Sequence, residues 1–411
     1  MVERDIYLKK LRSFRDTEEL IKVITGIRRC GKSSLLELYG GYLVNDGVRP
    51  KSVLKLNFED LDTGKIDSAQ KLHDYVKTRK ARRGKTYVLL DEVQLVHEWE
   101  RAVNSLRLDR SLDIYITGSN TYLLNSSLAS LLSGRYVEIK MLPLSFSEFL
   151  AFSRVSKKEN TAPYFEQYLW QGGFPGIFSI KRESSLFHDY LWGIYSTVVM
   201  KDIIRMNQVR DMDLMEKIIR FLADNIGYFV SAKKTADYLT STGRKTTSDT
   251  VDAYFKFLEN AYLFYRVRRN DLKGKGLLKT NDKFYIADPG LRNLLSGRQS
   301  DYGSVLENVV FLELMRRGYG VTVGKLDALE VDFVARRGEE KIYFQVSATM
   351  VPRELREREL LPLRKIQDNY PKMILSMDPP GPFGDFDGMV HRNLVDFLLE
   401  KDRSGLTRIK V

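Results

Sequence analysis

A lysine–serine pair behind two glycines, and two carboxylates closing an apolar run, are the residues of this chain best suited to chemistry. Gly26-Ile27-Arg28-Arg29-Cys30-Gly31-Lys32-Ser33, with Ser34 next, fits the spacing GxxxxGK[ST]. Glycines at those places let consecutive backbone N–H groups close around phosphate oxygens, and a following helix N-terminus adds positive potential. Lys32 has the length to reach the β- and γ-phosphates of ATP, and the Ser33 hydroxyl is placed to ligate Mg²⁺. Tyr87-Val88-Leu89-Leu90-Asp91-Glu92 supplies the acids. Asp91 is expected to hold Mg²⁺, directly or through water, and Glu92 to orient and deprotonate an attacking water. That combination is the chemistry of nucleoside-triphosphate hydrolysis.

Further polar residues fall close by. Leu112-Asp113-Ile114-Tyr115-Ile116-Thr117-Gly118 reads as a strand, and Ser119 and Asn120 follow it. A polar side chain there can hydrogen-bond the water or the γ-phosphate, and Asn120 is the expected sensor. Transition-state charge needs an arginine, from the same subunit or a neighbour. Arg28, Arg29 and Arg135 are the candidates, and the sequence leaves open which one acts. Cys30 lies beside the helix start, where a thiol pKa can fall. It reads as loop filler.

These residues need strands to carry them and helices to cover the strands. Runs at Ile21–Thr25, Val53–Phe58, Tyr87–Leu90 and Leu112–Thr117 are apolar enough for buried parallel strands, with helical periodicity between them, as in Trp99, Val103 and Leu106. The expected fold is α/β, a parallel sheet with helices on its faces, over residues 1–155. Residues 156–300 change rhythm. A helical stretch is broken by Gln171-Gly172-Gly173-Phe174-Pro175, then Met215, Ile218, Ile219 and Leu222 form one apolar stripe and Val251, Tyr254, Phe255 and Leu258 another. Val230–Leu239 reads as a short helix between them, and Thr246 with Asp249 is the expected cap of the third. Strands at Phe264–Arg268 and Lys283–Ala287 follow. Three helices and a basic hairpin make a winged helix. Arg244, Lys245, Arg266, Arg268, Arg269, Lys273 and Lys275 are its expected DNA contacts.

Residues 301–411 carry a helix opened by Glu307, then the strands Glu330–Ala335 and Lys341–Ser347. Glu307, Asp332 and Gln345 follow the layout of a restriction-endonuclease-like site. In an active site of that kind the acids hold Mg²⁺ and a lysine two residues after the third ligand helps activate water. Here that position is Ser347, so the domain is expected to be non-catalytic.

Composition sets the remaining bounds. With 411 residues the chain is too long for one core. A single cysteine excludes an internal disulfide framework and fits a reducing cytoplasm, and one cysteine with four histidines leaves no zinc spacing. No apolar run has membrane-spanning length, and Met1-Val2-Glu3-Arg4-Asp5 lacks a signal-peptide pattern. The net charge of +12 favours an anionic partner, most simply nucleic acid.

The assembled motifs resemble a prokaryotic family of AAA-type P-loop ATPases with a C-terminal restriction-endonuclease-like domain, domain of unknown function 4143. The matching pieces include Ile21–Arg29, Leu90-Asp91-Glu92-Val93-Gln94 with Trp99, Thr117-Gly118-Ser119-Asn120, Ser133-Gly134-Arg135-Tyr136, Gly172-Gly173-Phe174-Pro175, Glu307-Asn308, and Glu330-Val331-Asp332-Phe333 with Gln345-Val346-Ser347. The resemblance implies an ATPase core, a winged helix and a nuclease-like tail, and adds weight to Ser119, Asn120 and Arg135 as sensor and arginine-finger residues. The expectation is therefore an Mg²⁺-dependent ATPase that acts as a conformational switch or motor, binds DNA, and has room for a homo-oligomer. The alternatives are an ATP-regulated metal-dependent nuclease, and a signalling ATPase whose winged helix binds a protein.

Overall fold

Strand β1 (Ile21–Thr25) is buried at all five positions, as are β3 (Thr86–Asp91) and β4 (Leu112–Thr117) at all six of theirs. Strands buried on both faces belong inside a parallel sheet covered by helices. The computed structural model describes residues 2–17, 19–118, 134–156, 159–180, 184–274, 281–296, 301–379 and 385–400. With β2 (Val53–Asn57) and β5 (Tyr136–Lys140) these strands form a sheet in the order β2-β3-β4-β1-β5, every pairing parallel. The expected α/β class and four of the strands are present. The fifth, β5, begins where the sequence offered only Arg135-Tyr136 as a polar site.

Helices α1 (Asp5–Ser13), α2 (Lys32–Asn45), α3 (Ala69–Arg79) and α4 (Trp99–Arg107) complete this unit. Leu72 and Val76 of α3 and Val103 and Leu106 of α4 share one core with Leu56, Val88, Leu90, Ile114 and Ile116 of the strands. Each such side chain contributes about 1.5–3 kcal/mol on burial. Elsewhere in the unit a lysine is buried. Lys22, fully enclosed in β1, ion-pairs with Asp113 of β4, whose other carboxylate oxygen accepts from the Tyr115 hydroxyl at 2.8 Å. Burial pushes the Lys22 ammonium below its ordinary pKa, and Asp113 opposes that shift.

The chain divides into two compact units, residues 1–143 with 260–262, and residues 144–259 with 263–411. Pro143 thus ends the first unit, and the capping box of Ser145 and Glu148 opens the first helix of the second, Phe146–Phe152. Three helices follow, Met212–Asp224, Ala232–Ser241 and Ser248–Asn260, with a short strand between the first two. Strands β6 (Phe229–Val230), β7 (Phe264–Val267) and β9 (Asp282–Ile286) form an antiparallel sheet, order β6-β9-β7. The last of the three helices is capped by Thr247, whose hydroxyl accepts from Thr250 N at 3.3 Å, one residue later than the Thr246–Asp249 pair expected.

A larger sheet follows. It contains β8 (Arg269–Asp271), β10 (Gly320–Leu326), β11 (Leu329–Arg337), β12 (Glu340–Ser347), β13 (Lys372–Ser376), β14 (Asp385–Phe386) and β15 (Met389–Asn393), in the order β14-β15-β13-β12-β11-β10-β8. Strand β8 leaves the small sheet after Arg268 and pairs parallel to β10. Part of the stretch between the two expected hairpin strands is therefore stitched into the larger sheet. Helix Tyr302–Arg316 is buried along most of its length. It starts before Glu307, so that residue sits inside the helix rather than opening it. The adjacent Asn308 side chain accepts from Ile286 N at 2.8 Å and donates to Ile286 O at 3.1 Å, pairing with β9 as a strand would.

Candidate active site

Gly26 and Gly31 have φ of +139° and +105°, the left-handed region where a side chain is strained. A Cβ on Gly26 would stand 2.0 Å from the Met141 carbonyl oxygen, so only glycine lets the loop pass β5's exit. Arg4 of α1's leading residue braces the same backbone, donating to Cys30 O at 2.9 Å and Pro143 O at 3.2 Å. Within the loop, Lys32 Nζ donates to Gly26 O at 2.9 Å and Ile27 O at 3.2 Å. The ammonium is thereby held over the cradle that its own backbone forms. Ser33 and Ser34 are exposed at the helix start. Cys30 is fully buried against Met141 O at 3.5 Å. Burial pushes its thiol up, which overturns the lowered pKa that a helix start alone suggests and leaves it as filler.

The acids stand where β3 ends. Asp91 and Glu92 are each 7% exposed. Thr117, at the end of β4, joins them: its hydroxyl donates to Asp91 Oδ1 and accepts from Glu92 N at 3.0 Å. Glu92 has φ +53°. Its carboxylate accepts from Gln94 Nε2, and burial raises its pKa against the opposing influence of Lys32. Asn57, at the end of β2, pairs in register with Asp91. Ser33, Asp91, Asn57, Asp60 and Thr63 line one cavity of about 370 Å³. A hydroxyl and a carboxylate on one cavity wall are hard oxygen donors, a set that suits Mg²⁺. Thr117, Gln94 and Asn57 were not assigned a role from sequence. Their signal is position alone, a polar residue at or just beyond a strand's carboxyl end.

The arginines separate. Arg28 approaches Glu59 at 4.0 Å, and Arg29 is exposed with φ +66°. Arg135 precedes β5, where Ile21 N donates to its carbonyl at 3.0 Å. Ile21 starts β1 and the phosphate loop follows β1's last residue, so Arg135 is at the wrong end of the strand, roughly 16 Å away by strand rise. Arg135 therefore cannot serve the loop of its own chain, and only a trans role stays open to it. Ser119 and Asn120 lie outside the described residues.

In the second unit, Glu307, Asp332 and Gln345 do come together, lining a cavity of about 510 Å³ with Lys283 and Glu330. Sequence register placed no ammonium here. The fold supplies one from β9: Lys283 Nζ lies 2.8 Å from Glu307 and also pairs with Glu330. Asp332 Oδ2 accepts from Val346 N at 2.8 Å, and Gln345 Nε2 donates to Glu359 at 2.8 Å. Burial and the nearby Glu307 raise the Asp332 carboxyl well above its ordinary pKa. Among the described residues no group of three or more His, Cys, Asp or Glu is arranged to hold a metal ion.

The basic residues expected to meet DNA are partly committed. Arg266 pairs with Asp282 at 2.6 Å and Asp252 at 3.1 Å. Arg244 pairs with Asp211, Lys273 with Asp327, and Arg269 lies over the Phe229 ring at 4.4 Å from its centroid. Lys245 and Arg268 have no such partner described, and Lys275 lies outside the described residues. The free positive charge is smaller than the sequence suggests.

Comparison with known proteins supplies two family matches, an AAA domain over residues 18–150 and a domain of unknown function (DUF8612) over residues 162–302. An uncharacterized protein of Haemophilus influenzae is 41% identical over 406 residues, 97% of this chain and 99% of its own. The uncharacterized protein MJ1544 of Methanocaldococcus jannaschii is 28% identical over 379 residues, 87% and 81%. Among solved structures, the Walker-type ATPase PABY2304 of Pyrococcus abyssi matches with a TM-score of 0.44 and 18% identity, covering 72% of this chain and 96% of its own. AMPPCP-bound DnaA from Aquifex aeolicus matches at 0.28 and 16%, covering 61% and 85%.

Proposed function

The chain belongs to one family with the Haemophilus influenzae protein and carries an AAA domain, and from that premise we propose that it hydrolyses ATP to drive a conformational change. The observation that carries this reading is the cavity that Ser33 and Asp91 share at the ends of the phosphate loop and β3, with Thr117 linking Asp91 to Glu92 and the Lys32 charge acting on Glu92. Lys32 and the loop amides bind the β- and γ-phosphates, Ser33 and Asp91 would hold Mg²⁺, and Glu92 takes the proton of the attacking water. Held there, Mg²⁺ would supply neutralisation of the charge developing on the phosphate oxygens. ATP drives a conformational change only through contacts that differ between the two states.

The order helix, strand, two helices, then three strands over residues 212–286, with the first and last of those three pairing in the small sheet, supports a winged helix as the output module. DNA is the partner favoured by the net charge of +12. The intramolecular pairs of Arg244, Arg266 and Lys273 favour a second reading, in which the module grips protein. The nuclease-like cluster fits a structural role, because Lys283 already pairs with Glu307, one of the two acids that a metal ion would serve, and with Glu330. Steady-state hydrolysis of MgATP with and without duplex DNA tests the proposal. Hydrolysis stimulated by DNA supports the DNA-coupled switch, hydrolysis indifferent to DNA supports the protein-responsive one, and no hydrolysis overturns both.

A further inference from the structure

Gln94 sits two residues beyond Glu92, in the short turn Val93–Leu95, and its amide is used at one end only. Its Nε2 donates to Glu92 Oε2. A carboxylate accepts and does not donate, so this contact fixes which way the amide faces. Oε1 is then the end of the amide that Glu92 does not use. It is buried and has no hydrogen-bond partner among the described residues. A buried acceptor left unpaired is destabilising.

Two other buried amides, Asn308 and Gln345, are satisfied at both ends. Asn308 accepts from Ile286 N and donates to Ile286 O. Gln345 accepts from Asp332 N at 3.4 Å and donates to Glu359 at 2.8 Å. Gln94 departs from that pattern beside the carboxylate assigned as the base. Glu92 itself departs from ordinary backbone, with φ +53° in a non-glycine residue, and its N–H is tied to Thr117. Left-handed backbone at a non-glycine residue is strained and is kept where surrounding structure imposes it. Here the imposed turn brings the side chains of residues 92 and 94 onto one another.

We propose that Gln94 is a positioning residue for hydrolysis: Nε2 holds the Glu92 carboxylate while Oε1 accepts a hydrogen bond from the water that Glu92 deprotonates. A water held between two acceptors has its protons directed at them and a lone pair left for phosphorus. In the reaction the water oxygen forms a bond to the γ-phosphorus, and its proton moves to the Glu92 carboxylate. The bond from the γ-phosphorus to the β,γ-bridging oxygen breaks, and that oxygen leaves on ADP with the electron pair. Gln94 gains and loses no proton.

This inference rests on the ATPase reading, and the test separates the two. Gln94→Leu keeps the bulk and removes both polar ends. Three quantities are measured on the full chain: affinity for a fluorescent non-hydrolysable ATP analogue, melting temperature, and the single-turnover rate with radiolabelled ATP. The rate is followed in the wild type, Gln94→Leu, Glu92→Gln and the double variant. The expected result is a fall of about 10- to 100-fold in rate for Gln94→Leu, part of what a positioned base contributes, with affinity unchanged within about twofold and the fold retained. Adding Gln94→Leu to Glu92→Gln should change the rate less than about twofold, because residues acting through one another are not additive. Independent losses that multiply in the double variant, or affinity that falls in step with rate, would overturn the inference while leaving the ATPase standing. No hydrolysis by the wild type would overturn the ATPase reading, and this one with it.

Discussion

At the scale of single residues, Thr117 is the most exacting position. It is fully buried, and one hydroxyl serves both Asp91 and Glu92. Thr117→Val keeps the shape and removes the link. The loss should cost about 1–3 kcal/mol of stability and lower hydrolysis with nucleotide affinity retained. Lowered affinity with normal turnover of bound nucleotide would contradict the role. The phosphate loop and the two acids were legible in the sequence because their chemistry is local, with spacing inside one turn or at one strand end. Thr117 and Gln94 were not. Their roles depend on the register of β4 against β3 and on a left-handed turn at Glu92, neither of which a linear pattern encodes. Arg135 shows the converse. Its motif suggested the phosphate site, and the strand it opens carries it to the other end of the sheet.

At the scale of elements, two junctions hold the second unit together. The first is the turn at Gly172-Gly173. Asp288 accepts from Gly173 N at 2.6 Å and from Gly290 and Leu291 N at 2.9 and 3.2 Å. Gly172 has φ +79°, and a Cβ there would lie 1.9 Å from Asp288 Oδ1. Gly172→Ala should cost about 3 kcal/mol or more, a fall in Tm of roughly 6–12 °C; an unchanged Tm would show that the turn yields freely. The second is Lys283, 4% exposed between Glu307 and Glu330. Burial raises the Glu330 and Asp332 carboxyls, and Lys283 opposes the rise. A carboxyl with a raised pKa in the fold contributes stability when protonated, and loses it as pH rises through that pKa. Lys283→Met removes the opposing charge, raises both carboxyls further and leaves Glu307 and Glu330 without their cation. Its loss should therefore grow as pH rises above the ordinary carboxylate range, reaching about 3–5 kcal/mol, as read by Tm against pH. A deficit independent of pH would refute the electrostatic account. The helices and the β7–β9 hairpin were readable from periodicity, but β8's capture by the larger sheet and the delivery of Lys283 are long-range pairings between segments each unremarkable alone.

At the scale of the whole molecule, net charge pointed to nucleic acid and internal pairing limits how much of that charge is free. Arg266 has two acidic partners, one of them the buried Asp282. Arg266→Gln should lower Tm more than it lowers DNA retention, whereas Lys245→Glu and Arg268→Glu should weaken retention with Tm unchanged, as judged by mobility shift and thermal melting. The reverse ranking would place Arg266 at the interface. Among the described residues no helix is long and apolar enough to cross a membrane. The account stands or falls on Glu92 as the base of an ATP-hydrolysing site. The direct measurement is phosphate release from MgATP by the full chain, run beside Glu92→Gln with binding of a fluorescent ATP analogue followed on the same samples. The predicted result is turnover by the wild type, with Glu92→Gln binding the analogue normally and releasing phosphate at least about 100-fold more slowly. Equal phosphate release by the two proteins would contradict it.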